Sequence, residues 1–203
     1  DGYADTAGVV NAFAKKAEAM GVDIETQTEV TDILTTNGAI SGVETARGRI
    51  DCTRLILAAG PHTVLLGQKL GLDIPIRPYR RNIYITHPFP KIPETIPLTI
   101  DLPTGWYMRK ETGCILMGMS NKKEPTGFNE TVDWDWFEKV AEAGIHRVPD
   151  LAETGIFKAW AGVYDETPDH HAIVGPVKNI PGLILACGFS GHGFQHGAIT
   201  GKI

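Results

Sequence analysis

Gly188-Phe189-Ser190-Gly191-His192-Gly193-Phe194-Gln195 is the stretch of this chain best suited to hold a reactive ligand. Three glycines in six residues let a main chain pass close to a flat or anionic group. An apolar run, Leu183 to Cys187, precedes it, and Ala198, Ile199 and Thr200 follow. The pattern predicts a buried strand, a tight turn and a helix start. The helix N-terminus adds unpaired N–H groups and partial positive charge. The combination suits a cofactor with an electron-rich edge. A second strand-to-turn sequence of this kind is Leu55 to Ala59 followed by Gly60-Pro61. Ala58, Ala59 and Gly60 fall at the C-terminal end of the expected strand, where α/β sheets bind ligands. Tight packing of that strand on its helix would explain the same small residues. Four histidines, His170, His171, His192 and His196, raise a metal reading. His192 and His196 have i, i+4 spacing, but Gly193 and Gly197 make a poor scaffold and no cysteine or carboxylate pair completes a zinc set. No metal is expected.

The elements that must position these residues are legible in outline. Asp5 or Thr6 caps a helix whose apolar face carries Val9, Val10, Phe13, Ala17 and Met20, and Gly21 ends it. Val22 to Thr26 reads as a short strand. Glu29 to Thr35 and Ala39 to Ala46 flank Asn37-Gly38, a strong hairpin signal. After a turn at Arg47-Gly48, Arg49 to Cys52 reads as a strand. Leu55 to Ala59 is wholly apolar, as in a buried parallel strand. Gly60-Pro61 leads into a helix through Leu65, Leu66 and Leu70. Near Ile74-Pro75 the pattern changes. Ile83 to Thr86, Leu98 to Asp101, Trp106 to Arg109 and Cys114 to Gly118 alternate like strands of an antiparallel sheet. Asp133 to Arg147 reads as a helix with Trp136, Phe137, Val140 and Ile145 apolar, and Trp160 to Tyr164 as a further strand. Pro181 to Phe189 returns to the first layer. Asp165, Glu166 and Asp169 read as turn caps around Pro168.

The fold class is therefore α/β, with an α+β insertion. Leu55–Gly60 and Leu183–Gly188 should lie in one sheet or in adjacent layers, because both are apolar strands that end in ligand-type glycine turns. With 203 residues, 42% of them hydrophobic, and net charge −5, the chain can bury a core and gives no basic tract for nucleic acid. No apolar run reaches the length of a membrane span. Cys52, Cys114 and Cys187 are odd in number and widely spaced, which reads as mostly buried, reduced thiols in a cytoplasmic compartment.

Tyr164-Asp165-Glu166-Thr167-Pro168-Asp169-His170-His171, then Gly175-Pro176, Pro181-Gly182-Leu183 and GFSGHGF, resemble the C-terminal half of the FAD-dependent amine oxidoreductases. This family contains the sarcosine, glycine and D-amino acid oxidases, and the sarcosine oxidase and dehydrogenase branch is the nearest. Asp1-Gly2-Tyr3-Ala4-Asp5, Glu29-Val30 and Ala58-Ala59-Gly60-Pro61 carry the likeness through the rest of the chain. The resemblance implies part of a Rossmann-like FAD-binding domain (1–75 and 165–203), interrupted by an antiparallel-sheet substrate-binding domain (76–164). It implies cofactor contacts from Val30, Ala58, Ala59, Gly60, Gly188, Ser190, Gly191, His192, Gly193, Phe194 and Gln195. Val30 would also serve as an ordinary strand valine. The turn and helix start would face the pyrimidine end of the flavin and stabilise negative charge there.

The same resemblance assigns the substrate side. Tyr164 stands where D-amino acid and glycine oxidases have a carboxylate-clamping arginine and the sarcosine branch a tyrosine. That favours secondary or N-methylated amines. Gly162 stands where monomeric sarcosine oxidases carry the cysteine bonded to FAD, so FAD is expected to be non-covalent. Gln195 replaces a lysine that pairs with substrate carboxylate, and offers hydrogen bonds without charge. Ser120 replaces an active-site histidine. Tyr107 is a pocket residue or packs within its sheet, and Arg109 a pocket residue or a surface charge. With Tyr164, His192 and Gln195, Tyr107 completes the expected catalytic group. The implied reaction oxidises a C–N bond of a sarcosine-like amine by hydride transfer to flavin, with oxygen or an electron-acceptor subunit taking the electrons. The alternatives are a dehydrogenase subunit acting on a proline- or dimethylglycine-like substrate, or a binding module without activity. The family's G-x-G-x-x-G pyrophosphate motif does not occur in the chain, so a longer parent enzyme is expected. Without the strand that carries it, apolar edges should be exposed near Leu57 and Leu185.

Overall fold

The computed structural model describes residues 4–203. Asp1, Gly2 and Tyr3 of the string that opens the chain lie outside the described residues. The elements run α1 (Thr6–Ala19), β1 (Val30–Thr36), β2 (Ala39–Thr45), β3 (Gly48–Asp51), β4 (Leu55–Leu57), α2 (Thr63–Lys69), β5 (Arg77–Thr86), β6 (Thr99–Asp101), β7 (Trp106–Glu111), β8 (Cys114–Gly118), α3 (Trp134–Arg147), β9 (Ile156–Glu166), β10 (Ile173–Pro176), β11 (Leu183–Cys187) and α4 (Gly193–Thr200). They fall into two compact units, one of Pro78–Val163 and one of Ala4–Arg77 with Tyr164–Ile203. No described helix is long and apolar enough to cross a membrane.

In the split unit, Asp5 accepts the Gly8 N–H at 2.9 Å and so caps α1, and Gly21 at φ +89° ends it. The expected apolar face of α1 is not covered. None of its residues is buried, and Phe13 is 63% exposed. Residues 22–26 form no strand either. Val22 and Ile24 are exposed, and the chain instead turns at Thr26-Gln27. Asn37 and Gly38, both at positive φ, close the β1–β2 hairpin as their sequence requires, and β3 completes a three-stranded antiparallel sheet.

A second sheet has the order β10-β11-β4. β4 pairs parallel with β11, Leu183 opposite Leu55 and Leu185 opposite Leu57, although 128 residues separate the partners in sequence. This is the expected union of the two glycine-ended strands. β10 was not foreseen; it pairs antiparallel with β11. β4 is the sheet edge, and its apolar exposure differs from the expectation. Leu57 and Leu185 point into a core with Ile33, Ile40, Val43 and Leu183, whereas Ile56 is 62% exposed. Alternation of side chains along a strand explains the difference: a one-sided edge strand buries every second residue.

The continuous unit centres on a five-stranded sheet of order β6-β7-β8-β5-β9. Trp106, Met108 and Lys110 of β7 are buried, while Tyr107, Arg109 and Glu111 alternate with them and are partly exposed. Tyr84, Trp106, Met108, Ile115, Met117 and Val140 form the core. Trp106 lies so close to α3 that a Cβ on Gly144 would stand 3.1 Å from its ring. Asp133 caps α3 by accepting the Trp136 N–H at 2.9 Å. The α/β reading with an antiparallel insertion describes this architecture.

Candidate functional site

Because β4 and β11 run parallel and in register, the turns that follow them leave the sheet at the same end, that of the strand C-termini. After β11 the chain passes through Gly188 (φ +71°), Ser190 (φ +52°) and Gly191 (φ +87°) before α4 begins. Glycine is needed at both ends of this turn. A Cβ on Gly188 would stand 2.5 Å from Thr167 Cγ2, and one on Gly191 2.4 Å from Tyr164 Cε2. Tyr164 and the turn are therefore in contact. Ser190 accepts the left-handed conformation because its hydroxyl is bonded inside the turn. That hydroxyl takes the Thr167 N–H at 3.1 Å, donates to the Gly188 carbonyl at 3.3 Å, and lies 3.2 Å from Thr167 Oγ1. The Ser190 side chain is buried, so this residue offers a ligand only its main chain.

α4 starts at Gly193 with His192 as N-cap, and no side chain caps it. The first-turn N–H groups of Gly193, Phe194 and Gln195 therefore have no intrahelical acceptor. His192, Phe194 and Gln195 are exposed around this end. The His192 and His196 rings stack, with centroids 6.2 Å apart. The donor set of main-chain N–H groups, helix dipole and an uncharged Gln195 amide fits an anionic or carbonyl-rich ring edge. Directly before the turn, burial and the nearby Asp165 carboxylate push the Cys187 thiol up to about 11, which removes it as a nucleophile at neutral pH.

Val30, Ala58 and Ala59 come together in the same unit. They line an open trough of about 810 Å³ with Glu29, Leu57 and His62. Gly60 follows directly at φ +52° and turns the chain into the 3-10 turn Gly60–His62 that precedes α2. His62 was not singled out by sequence, and Glu29 only as part of the Glu29-Val30 string. Their signal was their position, two residues past Gly60 and one before Val30.

Tyr107, Arg109, Ser120 and Gly162 lie in the continuous unit. Tyr107 stands opposite Gly118, and a Cβ on Gly118 would be 2.5 Å from its hydroxyl. Its ring therefore packs across the sheet surface. Arg109 pairs with Glu111 and donates to the Lys110 carbonyl at 3.2 Å, so it is not a bare surface charge. Ser120 lines a groove of about 620 Å³ with Trp136 and Lys139. A Cβ on Gly162 would meet no atom within 4 Å. Asp165 does not cap a local turn. Its carboxylate takes the Gly188 N–H at 2.7 Å, whereas Asp169 does cap locally, accepting the His171 N–H at 3.1 Å.

The chain resembles known proteins over nearly its whole length. The chain is 32% identical over 197 residues to the hydrogen cyanide synthase subunit HcnC of Pseudomonas protegens, covering 96% of this chain and 46% of that protein. It is 28% identical over 195 residues to the sarcosine oxidase subunit beta of Rhodobacter capsulatus, covering 94% of this chain and 45% of that protein. The crystal structure of L-proline dehydrogenase from P. horikoshii superposes with a TM-score of 0.87 at 30% identity, over 95% of this chain and 52% of that one. The chain thus spans about half the length of the curated relatives it matches. The family described as "DAO: FAD dependent oxidoreductase" matches residues 1–203. On that match the chain belongs to the DAO family of FAD-dependent oxidoreductases.

Proposed function

We propose that the protein oxidises a C–N bond of a secondary or N-methylated amino acid, using non-covalently held FAD. The observation that carries this reading is the in-register parallel pairing of β4 with β11, which brings two glycine-ended turns to one end of the sheet. In this reading, Ala4–Arg77 with Tyr164–Ile203 is the cofactor unit and Pro78–Val163 the substrate unit. Val30, Ala58, Ala59 and Gly60 would help hold FAD, Val30 beside its adenine. The main chain from Gly188 to Gly193, with the exposed His192, Phe194 and Gln195, would hold the flavin end. When bound, FAD supplies the electron sink for the reaction. The chain's own part is to bind, orient and stabilise charge. The first-turn N–H groups of α4 favour negative charge at the ring edge they face. Gln195 donates hydrogen bonds without fixing a counter-charge. Tyr164, its ring held against Gly191, presents an aromatic edge to an amine instead of a guanidinium to a carboxylate.

A second reading, a dehydrogenase subunit that passes electrons to a partner, is favoured by one finding. Two of the relatives are themselves named as subunits. The intact protein tests both readings. FAD should quench on titration, bleach anaerobically with sarcosine, dimethylglycine or proline, and recolour either with oxygen or only with an added acceptor. Acid precipitation should leave all yellow colour in the supernatant, because Gly162 has no thiol to form a bond. Intact protein that neither binds FAD nor can be reconstituted with it would sink the proposal.

A further inference from the structure

We propose that Asp165 is the positioning residue that holds the Gly188–Gly191 turn in its ligand-receiving shape. The proposal rests on reading that turn as the seat of the flavin. Asp165 is buried at 9% exposure, one residue after the 40% exposed Tyr164. Neighbouring strand residues face opposite sides, so these two grip the turn from different directions. The Tyr164 ring lies where a Gly191 side chain would be. Asp165 works at the other end: its carboxylate takes the Gly188 N–H at 2.7 Å, and its main-chain carbonyl takes the Ser190 N–H at 3.3 Å. Thr167 completes the clamp through its N–H to Ser190 Oγ, with its methyl group under Gly188.

The use of a carboxylate here calls for an explanation. Among the described residues no Lys or Arg forms an ion pair with Asp165, and a buried charge without a cation costs stability unless hydrogen bonds satisfy it. What it does supply is a strong acceptor for a main-chain N–H that no strand neighbour reaches. Gly188 and Ser190 sit at positive φ, a conformation a free chain rarely holds. Two bonds from one residue to alternate N–H groups select that conformation. With Gly188 and Ser190 N–H turned inward onto Asp165, the intervening main chain and the α4 start are fixed as the outward surface.

Amide hydrogen exchange in the flavin-free intact protein, together with FAD titration, tests the role. Asp165→Ala removes the carboxylate but keeps the main-chain carbonyl bonded to Ser190, so it should speed exchange at Gly188 by on the order of ten- to a hundredfold, the value of a charge-assisted hydrogen bond, and weaken FAD by a similar factor. Asp165→Asn keeps an oxygen for the Gly188 N–H but not its charge, and should recover both part of the way, by at least about threefold relative to the Ala variant. If Asp165→Ala does not fold, Asp165→Ser, whose hydroxyl is too short to reach Gly188, makes the same comparison. Unchanged exchange in the Ala or Ser variant would overturn the proposal. So would an Asn variant as impaired as Ala, since charge and not positioning would then be the cause. Faster exchange with unaltered FAD affinity would also overturn it. Wild-type protein that binds no FAD would defeat the functional reading alone, and the exchange data would still decide whether Asp165 holds the turn.

Discussion

Gly191→Ala and Gly162→Ala form a matched pair that separates contact from composition. Both sites lie in stretches read as ligand-facing, and both gain one methyl group. At Gly191 the new Cβ would stand 2.4 Å from Tyr164 Cε2 and 3.0 Å from Cζ. Ordinary carbon contacts lie near 3.5–4.0 Å, so the ring must retreat by roughly 1 Å or more. The backbone adds a second cost, since φ is +87° and an alanine held in that region loses about 1–2 kcal/mol. Overpacking against a fixed ring would add about 1–3 kcal/mol, and the lower end applies because Tyr164 is partly exposed and can swing. The expected loss is therefore about 2–3 kcal/mol in denaturant unfolding of the intact protein, with weakened flavin quenching because the turn and Tyr164 move together. At Gly162 nothing lies within 4 Å and φ is not positive, so alanine should leave stability unchanged or raise it by about 0.5–1 kcal/mol through lower chain entropy. Equal unfolding curves for the two variants would refute the reasoning, because the turn would then not be braced against Tyr164.

Two further perturbations follow from burial. Burial raises the Cys187 thiol from 9.0 to about 11 and the Tyr84 phenol from 10.0 to about 12. In each window the unfolded chain releases a proton that the folded chain keeps, so stability is whole below pH 9 and falls as pH rises, first through Cys187 and then through Tyr84. Each drop is bounded at roughly 2–3 kcal/mol, and Cys187→Ser should abolish the first; a flat urea midpoint between pH 8 and 11 in wild type would contradict this. Lys110 is buried, with its ammonium on the Phe89 carbonyl at 2.8 Å and on Glu94 at 3.2 Å. Lys110→Ala should cost about 2–4 kcal/mol by leaving a cavity and buried carbonyls unpaired, while Glu94→Ala should cost under about 1 kcal/mol because Glu94 is exposed; equal costs in thermal unfolding would show that the ion pair and not the burial matters.

How much of this was legible in the sequence depends on the range of the interaction involved. Asn37-Gly38, the α1 cap, placed at Asp5 or Thr6, and the α4 start are settled within a few residues and are legible in sequence, while Asp133, read as part of α3, is its N-cap. The β4–β11 union joins distant segments, yet it was legible because both are wholly apolar strands that end in small-residue turns. Readings failed where one-dimensional pattern had to stand for a neighbour. The spacing in α1 defines an apolar face but not what covers it, and Phe13 is left exposed. The run Leu55 to Ala59 looked wholly buried because an apolar residue is the same letter on either side of a strand, and only the edge position of β4 exposes Ile56. Asp165 is the sharpest case. Beside Thr167-Pro168 an aspartate has a ready local role as a turn cap, and Asp169 fills it. Asp165 instead finds its acceptor's purpose 23 residues on, at an N–H that is unpaired only because Gly188 has left the sheet at positive φ. No local pattern marks such a partner, since the need it meets arises in another strand's turn.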